Sequence, residues 1–336
     1  MMLFSVAIFL LLLVLYFELV YPFKRFKVQK CQHKKAVGKV KQKTFVVHVH
    51  TFYSYDSLGK LEEIERAAKR LGIDKVFVTD HNNDRVKVHQ NPLIVPGIEY
   101  QDPIYGRLLK LDNRFTVIAH PNNTQKREYA WRGTFKGDFF YELIDLKDVL
   151  YESHPLLKLY MVLRFIALYP FKGLKALNFF PKLVPIFDWI SPYLERTKGQ
   201  LKVIGGLDHH VKLTFWEKPK KFLSFPPYLW SFYILSNKTF NGELLKSLES
   251  GDFYISFCHF ELNKEKNFVT YKGKKILTFN FFSDGSFKVN SCGFIENGAV
   301  LVALFKYSFR IKNWYFGLTP LAIFQGGKLF EEDGKP

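Results

Sequence analysis

Five strand-like apolar runs of the sequence each end in side chains that can bind a metal ion. The runs cover residues 44–50, 73–79, 92–99, 115–120 and 201–205. Apolar residues at helical spacing, from Leu61 to Leu71, follow the first run and stop at Gly72. Other stretches between the runs, such as 141–151, are expected to be helical or loop. Strands that alternate with helices predict an α/β fold with a parallel sheet, open or closed into a barrel.

The polar side chains at the ends of these runs are expected to meet at one edge of the sheet. They are His48 and His50, Asp80 and His81, Glu99, His120, and the segment Asp208-His209-His210. The C-terminal ends of strands are where α/β sheets and barrels build their sites. His48 and His50 are two positions apart on a strand, so both face the same way and can bind one ion together. Imidazole combined with carboxylate suits zinc, manganese or iron.

Five local motifs, in this order and spacing, resemble the PHP (polymerase and histidinol phosphatase) superfamily over about 44–210. The motifs are His48-Val49-His50-Thr51 with Ser54-Tyr55-Asp56-Ser57, Thr79-Asp80-His81-Asn82, Pro96-Gly97-Ile98-Glu99, Ala119-His120-Pro121, and Gly205-Gly206-Leu207-Asp208-His209-His210. The resemblance implies a distorted seven-stranded, TIM-like α/β barrel that holds two or three divalent ions, manganese, iron or zinc. It also implies hydrolysis of phosphomonoesters or phosphodiesters.

The resemblance further implies which residues bind which ion. His48, His50, Glu99 and Asp208 would hold one ion, with Glu99 bridging to a second ion that His120 also binds. A third ion would be held by Asp56, His81 and His210. His209 occupies a position that is usually small in the family and is interpreted as a pocket residue near the substrate, whereas Asp80 and Asn82 are expected to orient His81.

The chain departs from the family pattern at Arg107. Many relatives carry His-Leu-Leu shortly after the bridging glutamate, where this chain has Gly106-Arg107-Leu108-Leu109. A guanidinium stays protonated and offers no lone pair, so Arg107 cannot replace the missing ligand. The departure leaves two interpretations: Arg107 binds a phosphate oxygen of the substrate, or it is an ordinary surface arginine.

The expected chemistry needs no catalytic side chain beyond a metal-bound hydroxide, because bound ions activate water and stabilise the phosphoryl group. Ligand histidines must be neutral, so activity is expected to fall below about pH 6. The substrate is expected to be a phosphorylated small molecule or a lipid-linked phosphate. Two alternatives are an exonuclease, which the absence of a nucleic-acid-binding motif disfavours, and a non-catalytic membrane-bound metal-binding or scaffolding protein on a decayed barrel.

The N-terminal 43 residues have the composition of a membrane anchor with a basic flank. Residues 1–23 are almost entirely apolar, which predicts one transmembrane helix. Residues 24–43 contain nine Lys or Arg and no acidic residue, half of the formal net charge of +18. The positive-inside rule then places the catalytic domain on the cytoplasmic side of the bilayer.

The rest of the chain is predicted to form two parts. Residues 44–257 form the barrel, and short alternating segments predict a small all-β domain over 258–336. Within the barrel, residues 154–196 form an insert rich in aromatic and basic side chains. The insert is expected either to be helices that cover the barrel or to be an amphipathic segment that lies on the bilayer.

Overall fold

The chain begins with a short helix that continues into a turn and a strand. The computed structural model describes residues 2–30, 41–135, 137–214 and 222–326, so residues 31–40 of the basic stretch lie outside the described residues. Helix α1 spans Met2–Leu15, a π-helical turn spans Tyr16–Val20, and strand β1 spans Phe23–Arg25. Within the described residues, no helix is both long and apolar enough to cross a membrane.

Seven strands close into a barrel, as predicted. The barrel strands are β2 (Thr44–Val49), β3 (Lys75–His81), β4 (Ile94–Asp102), β5 (Gly106–Leu111), β6 (Phe115–Ile118), β7 (Phe140–Asp145) and β8 (Lys202–His209). Each strand pairs with the next along the chain, and β2 pairs with β8 to close the ring. The pairings are parallel except for β4 with β5 and β5 with β6, which are antiparallel. This reversal distorts the barrel relative to an all-parallel one.

Helices connect the barrel strands and cover their outer faces. They are α2 (Leu61–Leu71), α3 (Leu146–Glu152), α4 (Pro155–Lys172) and α5 (Ile186–Thr197), with 3₁₀ segments at Arg85–His89 and Gly173–Leu183. Helix α2 buries Leu61, Ile64 and Ala68 on one face and ends at Gly72, whose φ of 65° is the left-handed conformation that glycine adopts easily. The periodicity therefore predicts this helix correctly.

Two barrel strands, β5 and β7, are not among the five strands that the sequence predicts. Segment 141–151 is not helix or loop throughout, because its first half belongs to β7 and only its second half forms α3. Every residue of β7 is buried, including Glu142 and Asp145. Acidic residues in a short apolar run obscure the strand signal, since a buried strand normally reads as a continuous apolar segment. Their burial here depends on partners that come from other strands.

The C-terminal part is a second β region that continues the barrel sheet. Its elements are β9 (Leu213–Thr214), β10 (Phe222–Leu223), α6 (Tyr228–Ile234), β11 (Leu235–Thr239), α7 (Leu244–Ser250), β12 (Phe253–Phe257), β13 (Leu262–Glu265), β14 (Phe268–Tyr271), β15 (Ile276–Phe281), β16 (Phe287–Asn290), β17 (Leu301–Lys306), β18 (Phe309–Ile311), β19 (Trp314–Phe316) and β20 (Thr319–Gln325). Strand β11 pairs with β2 of the barrel, and β12, β20, β17, β15 and β16 follow in order. The predicted C-terminal β region is thus confirmed.

The N-terminal segment packs against this C-terminal β region. Strand β1 pairs antiparallel with β19, and the ring of Phe26 stacks on Tyr315 with centroids 4.6 Å apart. Phe17 and Phe26 are both buried. Residues 17–26 are therefore part of the folded body, and α1 extends from it.

Candidate metal centre

The structure brings all eight predicted ligand residues together at the C-terminal edge of the barrel. Seven of them are buried, and Asp56 is partly exposed; the buried seven are His48, His50, His81, Glu99, His120, Asp208 and His210. They come from the ends of β2, β3 and β8, from the interior of β4, and from the segments after β2 and β6. Because the barrel is closed, residues that lie 160 positions apart in the sequence become neighbours.

Four of these residues form a compact cage around one point. The Nε2 atom of His50 lies 3.2 Å from Glu99 Oε2 and 3.2 Å from Asp208 Oδ1, and the Nε2 atom of His48 lies 3.5 and 3.6 Å from the same oxygens. None of these four atoms has a hydrogen-bond partner among the described residues. Buried polar atoms are normally hydrogen-bonded. Two nitrogens and two carboxylate oxygens that converge without partners fit a divalent cation.

A second group of donors lies beside this cage. His210 Nε2 lies 3.0 Å from Asp56 Oδ2, and His81 Nε2 lies 3.4 Å from Asp56 Oδ1. The ring of His50 stacks on those of His81 and His210, with centroids 4.6 and 4.1 Å away. Burial alone would raise the pKa of Asp56, but the neighbouring imidazoles of His210 and His81 lower it strongly. Asp56 is therefore ionised and can serve as a ligand.

His120 completes the centre on the opposite side of the carboxylates. Its Nε2 atom lies 3.6 Å from Glu99 Oε1 and 3.8 Å from Asp208 Oδ2. Each of these two oxygens also has a cation beside it: Arg107 Nη1 donates to Glu99 Oε1 at 2.8 Å, and Lys147 Nζ lies 2.7 Å from Asp208 Oδ2. Arg107 is buried in the centre and is not an ordinary surface arginine.

The centre is supported by three acidic residues that the sequence analysis did not identify. Glu142 accepts a hydrogen bond from His48 Nδ1 at 2.7 Å and, through its other oxygen, one from the backbone N–H of His120 at 3.0 Å. Asp148 lies 3.1 Å from His120 Nδ1, and Asp145 lies 3.4 Å from His48 Nδ1. Carboxylates on the second nitrogen of a histidine fix its orientation and raise its affinity for metal.

Asp80 acts on the centre through Ser54. Its carboxylate accepts hydrogen bonds from the Thr51 N–H at 2.7 Å and from Ser54 Oγ at 2.9 Å. Ser54 Oγ lies 3.1 Å from His50 Nδ1 and accepts the backbone N–H of His81 at 3.0 Å. Asp80 thus holds the loop that positions both histidines.

His209 lies in the wall beside the ligands. Its Nε2 atom is 3.1 Å from the carbonyl oxygen of Pro226, and its ring is 4.9 Å from that of Tyr228. Burial lowers the pKa of His209 to about 3, so this imidazole is neutral at physiological pH. Its single N–H donates to the carbonyl oxygen of Pro226, so His209 shapes the pocket wall without adding charge.

Three of the predicted ligand residues have a left-handed backbone. The φ angles are 62° at His48, 51° at His120 and 40° at Asp208. The pairing of β2 with both neighbouring strands is irregular at His48, so His48 and His50 do not converge through simple strand alternation. Non-glycine residues in this conformation are strained and cluster at functional sites.

Substituting Gly206 tests the support of His48. A Cβ atom at Gly206 would overlap Glu142 Oε1, so Gly206→Ala is expected to displace Glu142 and weaken manganese binding by about 10- to 100-fold. The measurement is a manganese titration of the purified protein, with a thermal melt to confirm folding. Gly137→Ala is the matched control, because no atom lies within 4 Å of the added Cβ. Unchanged affinity in a folded Gly206→Ala protein would contradict the role of Glu142.

Metal binding is expected to release protons at neutral pH. Burial alone would lower the pKa values of His48 and His120, but Glu142 and Asp208 beside His48, and Asp148 beside His120, raise them well above the ordinary value. The metal-free protein therefore keeps these imidazoles protonated above about pH 6.5, and a metal must displace the protons. Affinity should keep rising with pH beyond that value. Calorimetry in buffers of different ionisation enthalpy measures the number of protons released. If no proton is released at pH 7, His48 and His120 are not protonated in the metal-free protein.

Comparison with known proteins identifies the family. The PHP domain family matches residues 47–285, which is most of the chain. Among solved structures, the chain is similar to a two-domain protein containing a predicted PHP-like metal-dependent phosphoesterase from Bacteroides vulgatus ATCC 8482, with 11% identity, a TM-score of 0.39, and coverage of 89% of this chain and 100% of the other. No curated protein matches the sequence. The buried cluster of histidines and carboxylates can hold metal ions, and the chain belongs to the PHP domain family.

Proposed function

We propose that this protein hydrolyses phosphate esters, mono- or diesters, at the centre formed by His48, His50, Glu99 and Asp208. The observation that carries the proposal is the cage of four buried donor atoms without hydrogen-bond partners. The ligands would be the eight residues named above, with manganese, iron or zinc as the ions. The substrate would be a phosphorylated small molecule or a lipid-linked phosphate.

The chain's own residues account for the rest of the expected mechanism. Divalent ions, when bound, would supply an activated water and neutralise charge that develops on the phosphoryl group. Glu142 and Asp148 would keep His48 and His120 oriented with Nε2 toward the ions. Arg107 and Lys147 place two positive charges at the same edge, where they would bind phosphoryl oxygens.

The intact donor set favours catalysis over the two alternatives. A decayed barrel would have lost ligands, whereas all eight candidate positions here carry side chains that can bind metal. For an exonuclease, binding to DNA would depend steeply on salt because many phosphates would be neutralised. Weak, salt-sensitive binding with no degradation of DNA is expected for a phosphoesterase of small substrates.

Removing a cage ligand should abolish both metal binding and activity. His48→Ala and Asp208→Asn are each expected to lower hydrolysis of aryl phosphates by more than about 100-fold, because losing a direct ligand should cost more than the about 10- to 100-fold of an outer partner. Turnover of aryl phosphate mono- and diesters is measured with added manganese, zinc or iron, and metal content by elemental analysis. His89→Ala is the matched control, since this exposed histidine forms a hydrogen bond with Tyr53 instead. Full activity and metal content in His48→Ala would disprove the site.

We further propose that the protein is tethered to a bilayer by α1 and by an exposed face of α4. Leu156, Leu159, Leu163 and Ile166 recur on one side of α4, and each is more than half exposed. The insert contributes Lys158, Lys172 and Lys175 and has no acidic residue from 156 to 187. An exposed apolar stripe flanked by basic residues fits an anionic lipid surface. The inner side of the insert covers the barrel with helices, and Tyr160 and Phe179 are buried there.

Contacts hold the end of α1 beside α4, which supports a single membrane-facing side. Glu18 accepts a hydrogen bond from Tyr160 at 2.8 Å and pairs with Arg164. Lys182 Nζ donates to the carbonyl oxygens of Phe17 and Glu18 at 2.8 and 2.7 Å. The large side chains Phe9, Leu11 and Leu12 of α1 are exposed. With a basic flank after the apolar segment, we place the catalytic domain on the cytoplasmic side.

Vesicle binding separates the contribution of α4 from that of α1. A chain lacking residues 1–15 keeps the Phe17 and Glu18 contacts and is expected to bind anionic vesicles, with binding that weakens as salt rises. Leu163→Glu with Ile166→Glu should remove this binding. Val88→Glu, at an exposed valine outside the insert, is the control. Failure of the shortened chain to bind anionic vesicles at low salt would rule out the α4 surface.

A further inference from the structure

The carboxylates of Glu99 and Asp208 each have an inner and an outer oxygen, and the two oxygens have different neighbours. The inner oxygens, Glu99 Oε2 and Asp208 Oδ1, face His48 and His50. Among the described residues, neither these two oxygens nor the outer atoms Asp208 Oδ2 and His120 Nε2 have a hydrogen-bond partner. The outer oxygens, Glu99 Oε1 and Asp208 Oδ2, lie 3.6 and 3.8 Å from His120 Nε2. These three outer atoms would be part of a second metal site, but each oxygen already has a protein cation beside it.

Arg107 is held rigidly at the first of these oxygens. Besides its bond to Glu99, its Nε atom donates to Gln101 Oε1 at 2.7 Å. Its guanidinium carbon lies 3.7 Å from the centroid of the Tyr129 ring, a stacking geometry that favours arginine. The side chain is buried, so it cannot swing away without losing all three contacts.

Lys147 is placed at the second oxygen by the start of α3. The helix begins directly after β7, and this brings Nζ to 2.7 Å from Asp208 Oδ2. The side chain keeps about a third of its surface exposed, 30%. Lys147 can therefore contact a bound molecule while it neutralises the carboxylate.

We propose that Arg107 and Lys147 take the place of a divalent ion beside His120, so that the centre holds two metal ions and not three. This inference rests on the proposed function and specifies its metal content. A divalent ion at the outer oxygens would meet two fixed positive charges at short range and would have to break both ion pairs. Among the described residues, His120 supplies the one imidazole nitrogen within 4 Å of these outer oxygens. The two cations are then available to the phosphoryl oxygens of the substrate.

Metal stoichiometry tests this inference without any substrate. The full-length protein is saturated with Mn²⁺, freed of excess metal by gel filtration, and measured by elemental analysis. The wild type is expected to hold about two ions per chain, as in two-metal phosphoesterase sites. Arg107→His removes the guanidinium and adds an imidazole, so its content is expected to rise to about three ions. Arg114→His, in the neighbouring turn and largely exposed, is the matched control and should stay at the wild-type value.

The possible outcomes separate this inference from the proposed function. Three ions in the wild type would overturn the inference and leave the phosphoesterase proposal intact, whereas no bound metal would overturn both. A folded Arg107→His protein that still binds as few ions as the wild type would also refute the replacement. Should Arg107→His fail to fold in a thermal melt, the wild-type count alone decides the question. Two ions in the wild type and three in Arg107→His would support the proposal that Arg107 and Lys147 take the place of a divalent ion.

Discussion

The centre depends on two buried negative charges, the carboxylates of Glu99 and Asp208. Buried carboxylates are costly unless they are paired on every side. Burial alone would raise the pKa of Glu99, but the neighbouring imidazoles of His120, His48 and His50 hold it well below the usual range. The pKa of Asp208 is likewise held low, against burial, by Lys147 and the neighbouring histidines. The histidines therefore gather around these two residues, and bound ions would displace protons from His48 and His120, whose pKa values are raised.

The barrel provides the rigidity that this arrangement needs. His48, His120 and Asp208 all adopt left-handed backbone conformations at or next to strand ends, and such strain persists only where surrounding hydrogen bonds over-determine it. Strand β2 is paired on both sides, with β3 and β8, and is joined further by β11. Glu142 bonds both the ring of His48 and the backbone of His120. One acidic side chain on β7 thus connects two strained ligands across the barrel.

Much of this arrangement could be predicted from sequence because ligands at strand ends leave a local signature. Helix α2, the C-terminal β region and the convergence of His48, His50, Glu99 and Asp208 follow from periodicity and motif order. Strand β7 does not, since Glu142 and Asp145 make sense in a buried strand only when their histidine partners on other strands are known. Lys147, Asp145 and Asp148 were missed for the same reason: each acts on a residue far away in sequence. Arg107 stood out as a departure from the family pattern, yet its ion pair with Glu99 required the fold.

A guanidinium in place of a metal ion changes what the centre can do. Arginine carries one charge where a divalent ion carries two, but its charge is permanent and its five N–H donors have fixed directions. The described bonds to Glu99 and Gln101 use two of those donors, and the planar group remains able to meet a phosphoryl oxygen. Positive charge at this edge is then independent of metal supply. Substrate anchoring and water activation would therefore be divided between protein cations and bound ions, which makes the orientation of Arg107 as important to the site as its ligands.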